Sequence, residues 1–312
     1  MRRAGIVVVA GAALLLAVGL AVARVGERAG ALSDWQALAL GAVQGFTELL
    51  PISSSGHLIL VPWLANWHYL EAHPGFNKTF DVSLHLGTLI AVIVYFWGDV
   101  VRLLRAWFGT LARRSIRTED ERLAWFVAVA TIPAALAGAV GESFIEDHLG
   151  EPWQIGIFLA VFAVVLFVSD RTAESRRMQE LGYRGAFLIG LAQTLALAPG
   201  ISRSGISISA ARLLGLGRDA AARFSFLLLI PVVFGAALFK GLNDVVFGDL
   251  PAGWAGPFLV GTLTAAVTGL AAIWALLGYL RRNDYSVFVV YRLLAAAAVL
   301  ILIVSGVRAA RL

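Results

Sequence analysis

Long apolar runs, punctuated by short charged clusters, set the rhythm of this chain. Segments near 82–97, 123–141, 154–169, 224–241, 256–280 and 286–305 are almost free of charge. They approach the ~20 residues that a helix needs to cross a bilayer, so each predicts a transmembrane helix. A further run from Ala4 to Ala23 follows Arg2 and Arg3. Ala21-Val22-Ala23 resembles a small-residue cleavage site, which fits a signal peptide. The run is also long enough to span, and an uncleaved first helix is the preferred reading. The organisation expected is therefore an N-terminal helix or signal-like extension over 1–31 and a single membrane domain over 32–312.

The loops orient these spans. Residues 98–122 carry Arg102, Arg105, Arg113, Arg114, Arg117 and Arg122, and 170–184 carry Arg171, Arg176, Arg177 and Arg184. Arg281 and Arg282 follow the span 256–280. An excess of arginine marks cytoplasmic loops. The segments 142–153 and 242–255 are acidic and free of Lys and Arg, as outside loops are. Only Arg308 and Arg311, at an outside C-terminus, run against this assignment.

Two polar stretches interrupt the apolar pattern and repeat each other. Gly41, Gln44, Ser53, Ser55 and Gly56 align in one register with Gly190, Gln193, Ser202, Ser204 and Gly205. Each contains a Pro that ends a helix, at Pro51 and Pro199. The orientation leaves the first stretch between two outside segments and the second between two cytoplasmic ones, so both must dip in and return. The fold expected is all-α and integral to the membrane, an inverted-topology repeat. Each half has one re-entrant helical hairpin (36–62 and 185–217) and three transmembrane helices, with an extra N-terminal helix outside the repeat.

Composition sharpens this picture. Hydrophobic residues make up 59% of the chain and charged residues 14%, which places it in lipid. The net charge of +5 sits in interhelical loops, so it reads as topology and not as a nucleic-acid footprint. There is no cysteine, which excludes disulfides, thiolate metal sites and cysteine nucleophiles.

The candidate chemistry lies in the two breaks. Gln44 and Glu48 are four residues apart and share a helical face. A carboxylate at membrane depth is costly and marks a functional site by default. Ser53, Ser54 and Ser55 add hydroxyls and His57 an imidazole, whereas His85, alone in the span 82–97, reads as packing. In the second break Gly200, Ser202, Ser204 and Gly205 flank Arg203, an arrangement in which loop amides and a guanidinium fork bind a phosphate. An anion clamp, hydroxyls, an acid/base and a carboxylate suit phosphoryl transfer. Glu48 is also a natural ligand for Mg²⁺ or Ca²⁺. The membrane setting adds a substrate with an apolar tail.

At these residues the chain resembles the undecaprenyl-diphosphatase family, the bacitracin-resistance phosphatases of bacteria. The family's (Glu/Gln)-x-x-x-Glu motif reads Gln44 to Glu48, and its Pro-x-Ser-Ser-(Ser/Thr)-Gly-His motif reads Pro51 to His57. Its Pro-Gly-x-Ser-Arg-Ser-Gly motif reads Pro199 to Gly205, and a Phe-Ser-Phe-Leu stretch stands at Phe224 to Leu227. The resemblance covers roughly Leu32 to the C-terminus. It implies hydrolysis of undecaprenyl diphosphate to the monophosphate and inorganic phosphate, recycling the carrier lipid for wall synthesis and conferring bacitracin resistance. It further implies a divalent cation and an active site open to the outer face of the bacterial plasma membrane. By position, Glu48 and Gln44 take the carboxylate-motif roles, Ser54 that of nucleophile or phosphate ligand, His57 acid/base, and Arg203 the diphosphate clamp. Gln44 is a departure, since many members have Glu there. A lipid transporter or flippase on the same scaffold is the rival reading, since broken-helix repeats also serve transport. The sequence leaves open whether the protein forms a homodimer.

Overall fold

The computed structural model describes residues 32–240 and 253–311, and within them the regular structure is helical apart from one isolated bridge between Arg176 and Leu216. Helices α1 (Asp34–Leu49) and α2 (Ser54–Ala65) form a first pair, and a short α3 (Tyr69–Ala72) leads into α4 (Pro74–Tyr95). Then come α5 (Trp97–Arg113), α6 (Glu119–His148) and α7 (Pro152–Asp170). Helices α8 (Gly182–Thr194) and α9 (Arg203–Leu213) form a second pair, followed by α10 (Arg218–Lys240), α11 (Ala255–Leu280) and α12 (Ser286–Val304). The stretch 1–31, expected to hold the extra helix, and most of the loop 242–255 lie outside the described residues.

Six of these helices are long and apolar enough to cross a bilayer: α4, α6 over Glu119–Gly141, α7, α10 over Arg218–Leu238, α11 and α12. Their outward faces carry large apolar side chains such as Leu136, Val140, Trp274 and Val304, all exposed. That is the surface of a multi-pass membrane protein, whose outside solvent is lipid. Helix α5 occupies most of 98–122, where the arginine pattern predicts a cytoplasmic loop. It is amphipathic, burying Val100 and Leu103 while Leu104, Phe108 and Leu111 stay exposed. Arginines recurring among apolar residues conceal such a helix from a search for uncharged runs.

Local signals explain where the helices start and stop. Ser33 caps α1 through a capping box with Gln36, and Thr118 caps α6 in the same way with Glu121. Helix α1 stops at Leu49 because Leu50, which precedes Pro51, is extended. Helices α2 and α9 begin alike. Ser53 (φ 76°) and Ser202 (φ 79°) hold left-handed backbone conformations, and their hydroxyls accept from the amides of Gly56 and Gly205. Such φ values in residues that have a Cβ are strained, and strain of this kind collects at functional sites.

The pairs are seated by close backbone contact. Helix α1 packs along α11, and α8 along α6. A Cβ at Gly41 would overlap the Gly261 carbonyl oxygen, and one at Gly190 would overlap that of Ala130. Small residues allow this approach where lipid removes the hydrophobic drive for helix association.

An arginine from α12 helps to tie the two breaks together. Arg292 on α12 is fully buried. Its guanidinium donates to the carbonyls of Pro51 (3.2 Å) in the first break and of Gly200 (2.9 Å) and Ile201 (3.1 Å) in the second. It also reaches the carbonyl of Leu159 (3.2 Å) on α7. Breaking a helix at membrane depth frees carbonyls that need new donors, and this guanidinium supplies them. Arg292→Met should therefore destabilise the protein by about 3 kcal/mol or more, since each buried unsatisfied group costs roughly 1–3 kcal/mol. Thermal unfolding in detergent reads this, and an unchanged midpoint would contradict the role.

Candidate active site

The two breaks meet. The Gly200 amide donates to Ser53 Oγ (3.0 Å), and Ser204 Oγ donates to the Leu50 carbonyl (3.1 Å). Ser202 and Ser204 are themselves hydroxyl neighbours at 3.2 Å. The caps of α2 and α9 are thus built partly from each other's loops.

Glu48, at the end of α1, is the hub of this junction and is only 4% exposed. Ser54 Oγ donates to its Oε2 at 2.5 Å, and Gln44 Nε2 does so at 3.4 Å. Across the junction Arg203 Nε donates to Oε1 at 3.1 Å. Arg203 Nη2 lies 3.1 Å from the same oxygen but is not aligned for a hydrogen bond. Its Nη1 donates to the Ser225 carbonyl (2.9 Å). Ser225, from the Phe224–Leu227 stretch of α10, also accepts from Ser207 Oγ (2.7 Å). The guanidinium is therefore gripped on two sides while Nη2 keeps hydrogen-bonding capacity.

A buried carboxylate without partners costs several kcal/mol. Glu48 has Arg203 as counter-charge and three polar hydrogens or more as donors, so it can stay ionised within an apolar bundle.

His85 corrects a sequence reading. Its place in the span suggests packing, yet its Nε2 stands 3.5 Å from Glu48 Oε2, and its Nδ1 is 2.7 Å from the Asp81 carbonyl oxygen. That carbonyl can only accept, so Nδ1 carries a proton. No local signal reveals the contact, because His85 lies on α4, far along the chain from either break.

His57 is arranged differently from an acid/base poised at Ser54. Its Nδ1 is 2.6 Å from the Ser53 carbonyl oxygen, and its Nε2 is 2.7 Å from Tyr291 Oη. The ring also stacks on that of Tyr291. Both nitrogens are engaged away from the Ser54 hydroxyl, which is bonded to Glu48. The loop amides read from sequence as anion donors are likewise occupied: Gly56 and Gly200 donate to Ser53 Oγ, and Gly205 to Ser202 Oγ. Ser55, half-buried in the first turn of α2, takes no part in these bonds. Arg292 and Tyr291 were missed because they lie inside an otherwise apolar span.

Among the described residues no group of three or more His, Cys, Asp and Glu could hold a metal alone. One observation fits a cation nonetheless. Gln44 Oε1 is buried beside Glu48 and has no hydrogen-bond partner. A lone carboxylate and a free amide oxygen are hard donors of the kind Mg²⁺ and Ca²⁺ take, the remaining positions being filled by substrate oxygens and water.

Comparison with known proteins agrees with this constellation. A family profile described as "Bacitracin resistance protein BacA" matches residues 37–298. The chain is 43% identical to the undecaprenyl-diphosphatase of Desulforudis audaxviator over 87% of its own length and 98% of the relative's. It is 47% identical to the Geobacter sulfurreducens enzyme of that name, over 85% and 96% of the two chains. With the Thermomicrobium roseum enzyme the identity is 46% over 88% and 99%. The junction of Glu48, Ser54 and Arg203 thus lies wholly inside the matched region, and the chain belongs to the bacitracin-resistance protein family of undecaprenyl-diphosphatases.

Proposed function

We propose that this protein hydrolyses undecaprenyl diphosphate to undecaprenyl phosphate and inorganic phosphate, recycling the lipid carrier of wall synthesis. The observation that carries this reading is the buried Glu48 carboxylate joining the Ser54 hydroxyl to the Arg203 guanidinium across two broken helices. A nucleophile, a proton acceptor and an anion clamp then share a few ångströms, which is what phosphoryl transfer demands. Bacitracin resistance follows from the family to which the chain belongs.

In this mechanism Arg203 turns its Nη2 to the oxygens of the terminal phosphoryl group and neutralises their charge. Ser54 Oγ attacks the terminal phosphorus as its proton passes to Glu48 Oε2. The phosphorus–oxygen bond to the bridging oxygen breaks and undecaprenyl phosphate leaves with the electron pair. Water then attacks the phosphoserine phosphorus, the bond from phosphorus to Ser54 Oγ breaks, and Glu48 returns its proton to Ser54 Oγ as inorganic phosphate, carrying both protons of the water, leaves. His85 orients Glu48 from the opposite side, and His57 fixes the start of α2 through Ser53. A divalent cation held by Glu48 and Gln44 Oε1 would supply further neutralisation of phosphate charge. Attack by water on the same phosphorus, activated by Glu48, is the variant of this route that the serine test below distinguishes.

The scaffold is read as an inverted repeat in the plasma membrane. Matched features support it: the left-handed Ser53 and Ser202, the tight Gly41 and Gly190, and the pairing of α1 with α11 and of α8 with α6. The arginine-rich loops assign α5 and the segment after α7 to the cytoplasmic side, so the first hairpin enters from outside. The lipid's diphosphate would approach through that hairpin from the outer leaflet. A transporter on this scaffold would bind the lipid without releasing phosphate.

Four measurements test the reading. Arg203→Ala should lower kcat/KM for phosphate release by about 10²–10³-fold, the usual cost of removing one charged donor; near wild-type turnover would remove the clamp. Brief incubation with substrate labelled in its terminal phosphate, followed by acid quench, should leave label on Ser54, and full activity of Ser54→Ala would exclude the covalent route. Chelation should abolish turnover, with recovery on adding Mg²⁺ or Ca²⁺. Gln44→Glu, by adding a carboxylate, should lower the cation concentration needed by about tenfold; an unchanged requirement would separate Gln44 from the cation.

A further inference from the structure

Away from the broken helices, at the end of the bundle where α7 and α11 finish and α10 begins, lies an open hollow of about 1010 Å³. Three separate segments wall it, 174–180, 217–223 and 280–283, and they bring six arginines to it: Arg176, Arg177, Arg218, Arg223, Arg281 and Arg282. Met178 and Leu280 add an apolar edge. We infer that this hollow is a binding site for the phosphate headgroup of an anionic phospholipid, separate from the catalytic junction.

The charge balance is the first support. Three of the arginines are already neutralised: Arg177 by Glu180 (3.0 Å), Arg218 by Asp170 (2.7 Å) and Arg223 by Asp219 (2.7 Å). The Glu180 carboxyl is held below its ordinary range by the Arg177 amide and then by the Arg177 guanidinium, so that pair stays closed. Arg176, Arg281 and Arg282 are exposed, and among the described residues their side chains make no hydrogen bond or ion pair. Glu174, the remaining carboxylate in the lining, pairs with the buried Arg212 (3.3 Å), so the hollow keeps an excess of free guanidinium groups, the donors best matched to phosphate oxygens.

The second support is that the walls are fixed. Arg212 is buried beneath them and donates to the carbonyls of Thr172 (2.7 Å), Asp170 (3.0 Å) and Leu216. The amides of Ser175 and Arg176 both donate to the Gly215 carbonyl, so the segment carrying Arg176 is stitched to the end of α9. Tyr285 Oη donates to the Arg218 carbonyl (3.1 Å), and the Tyr285 amide to Asp170 Oδ2 (3.1 Å). The three free arginines thus line one hollow from segments whose backbones are held in place.

The third support is position. Arg281 and Arg282 directly follow Leu280, the last residue of the span α11, so the hollow sits at the level where a bilayer's headgroups lie. A basic pocket between the ends of transmembrane helices is a site for anionic headgroups. The acyl chains of a bound lipid would pass the half-buried Met178 into the bilayer.

Native mass spectrometry of the full-length protein in detergent tests this, with phosphatidylglycerol, phosphatidylcholine and inorganic phosphate as separate probes. Wild type should retain phosphatidylglycerol in preference to phosphatidylcholine, and millimolar inorganic phosphate should not displace it. The triple variant Arg176→Gln, Arg281→Gln, Arg282→Gln should bind phosphatidylglycerol roughly 100-fold more weakly, on the order of fivefold per arginine. The corresponding Lys variants, which keep the charge, should retain most of the affinity. Should the triple Gln variant not fold, Arg282→Gln alone should show the fivefold loss. Equal retention of the two lipids by wild type, or unchanged retention by the folded Gln variant, would overturn the proposal. So would arginine-dependent binding of inorganic phosphate without any lipid preference, which would make the hollow a free-anion site.

Discussion

A carboxylate buried in an apolar helical bundle must find its compensation nearby, and here it finds it across two interrupted helices. Glu48 accepts from Ser54 on its own side of the junction and from Arg203 on the other. Neither group could sit at this depth alone: the carboxylate would be an uncompensated charge, and so would the guanidinium. The pairing holds only because α1 and α8 both stop short and their loops touch. Arg292 then meets the cost of stopping, by donating to the carbonyls that the breaks release.

The two halves of the junction are alike in backbone and unlike in chemistry. Ser53 and Ser202 share an unusual conformation and the same capping bond, so the residues after them, Ser54 and Arg203, begin α2 and α9 in equivalent ways. One is the proposed nucleophile and the other the proposed clamp. The proposed repeat thus provides one geometry twice, and divergence at a single position in each copy turns it into a complementary pair. Glu48 has no counterpart in the second half, where Leu197 stands in the matching register. One carboxylate serves both sides.

What the sequence made legible follows from which signals are local. The six spans, the two breaks and the grouping of Glu48, Ser54 and Arg203 rest on runs of apolar residues and on Gly, Pro and Ser at fixed spacing. What escaped it depends on tertiary contact. His85 looks like a packed histidine along α4 and becomes a neighbour of Glu48 only when α4 lies beside α1. Arg292 is one charge in a long apolar span, and its role as donor to the carbonyls of both breaks is invisible without the breaks it serves. His57 stands in the right motif, yet its ring turns to Tyr291 and the Ser53 carbonyl, away from Ser54. Helix α5 was hidden because its arginines alternate with the apolar residues that define its face.

The energetic link between Glu48 and Arg203 is what holds the two broken helices in one site. A double-mutant cycle with Glu48→Gln, Arg203→Gln and the pair, read in the free energy of unfolding, measures that link directly. If the two groups compensate each other at the junction, each single change leaves a buried charge behind. The double variant should then be more stable than the sum of the singles predicts, by about 2 kcal/mol or more. Additive effects, within about 0.5 kcal/mol, would mean that the two broken helices do not share this ion pair.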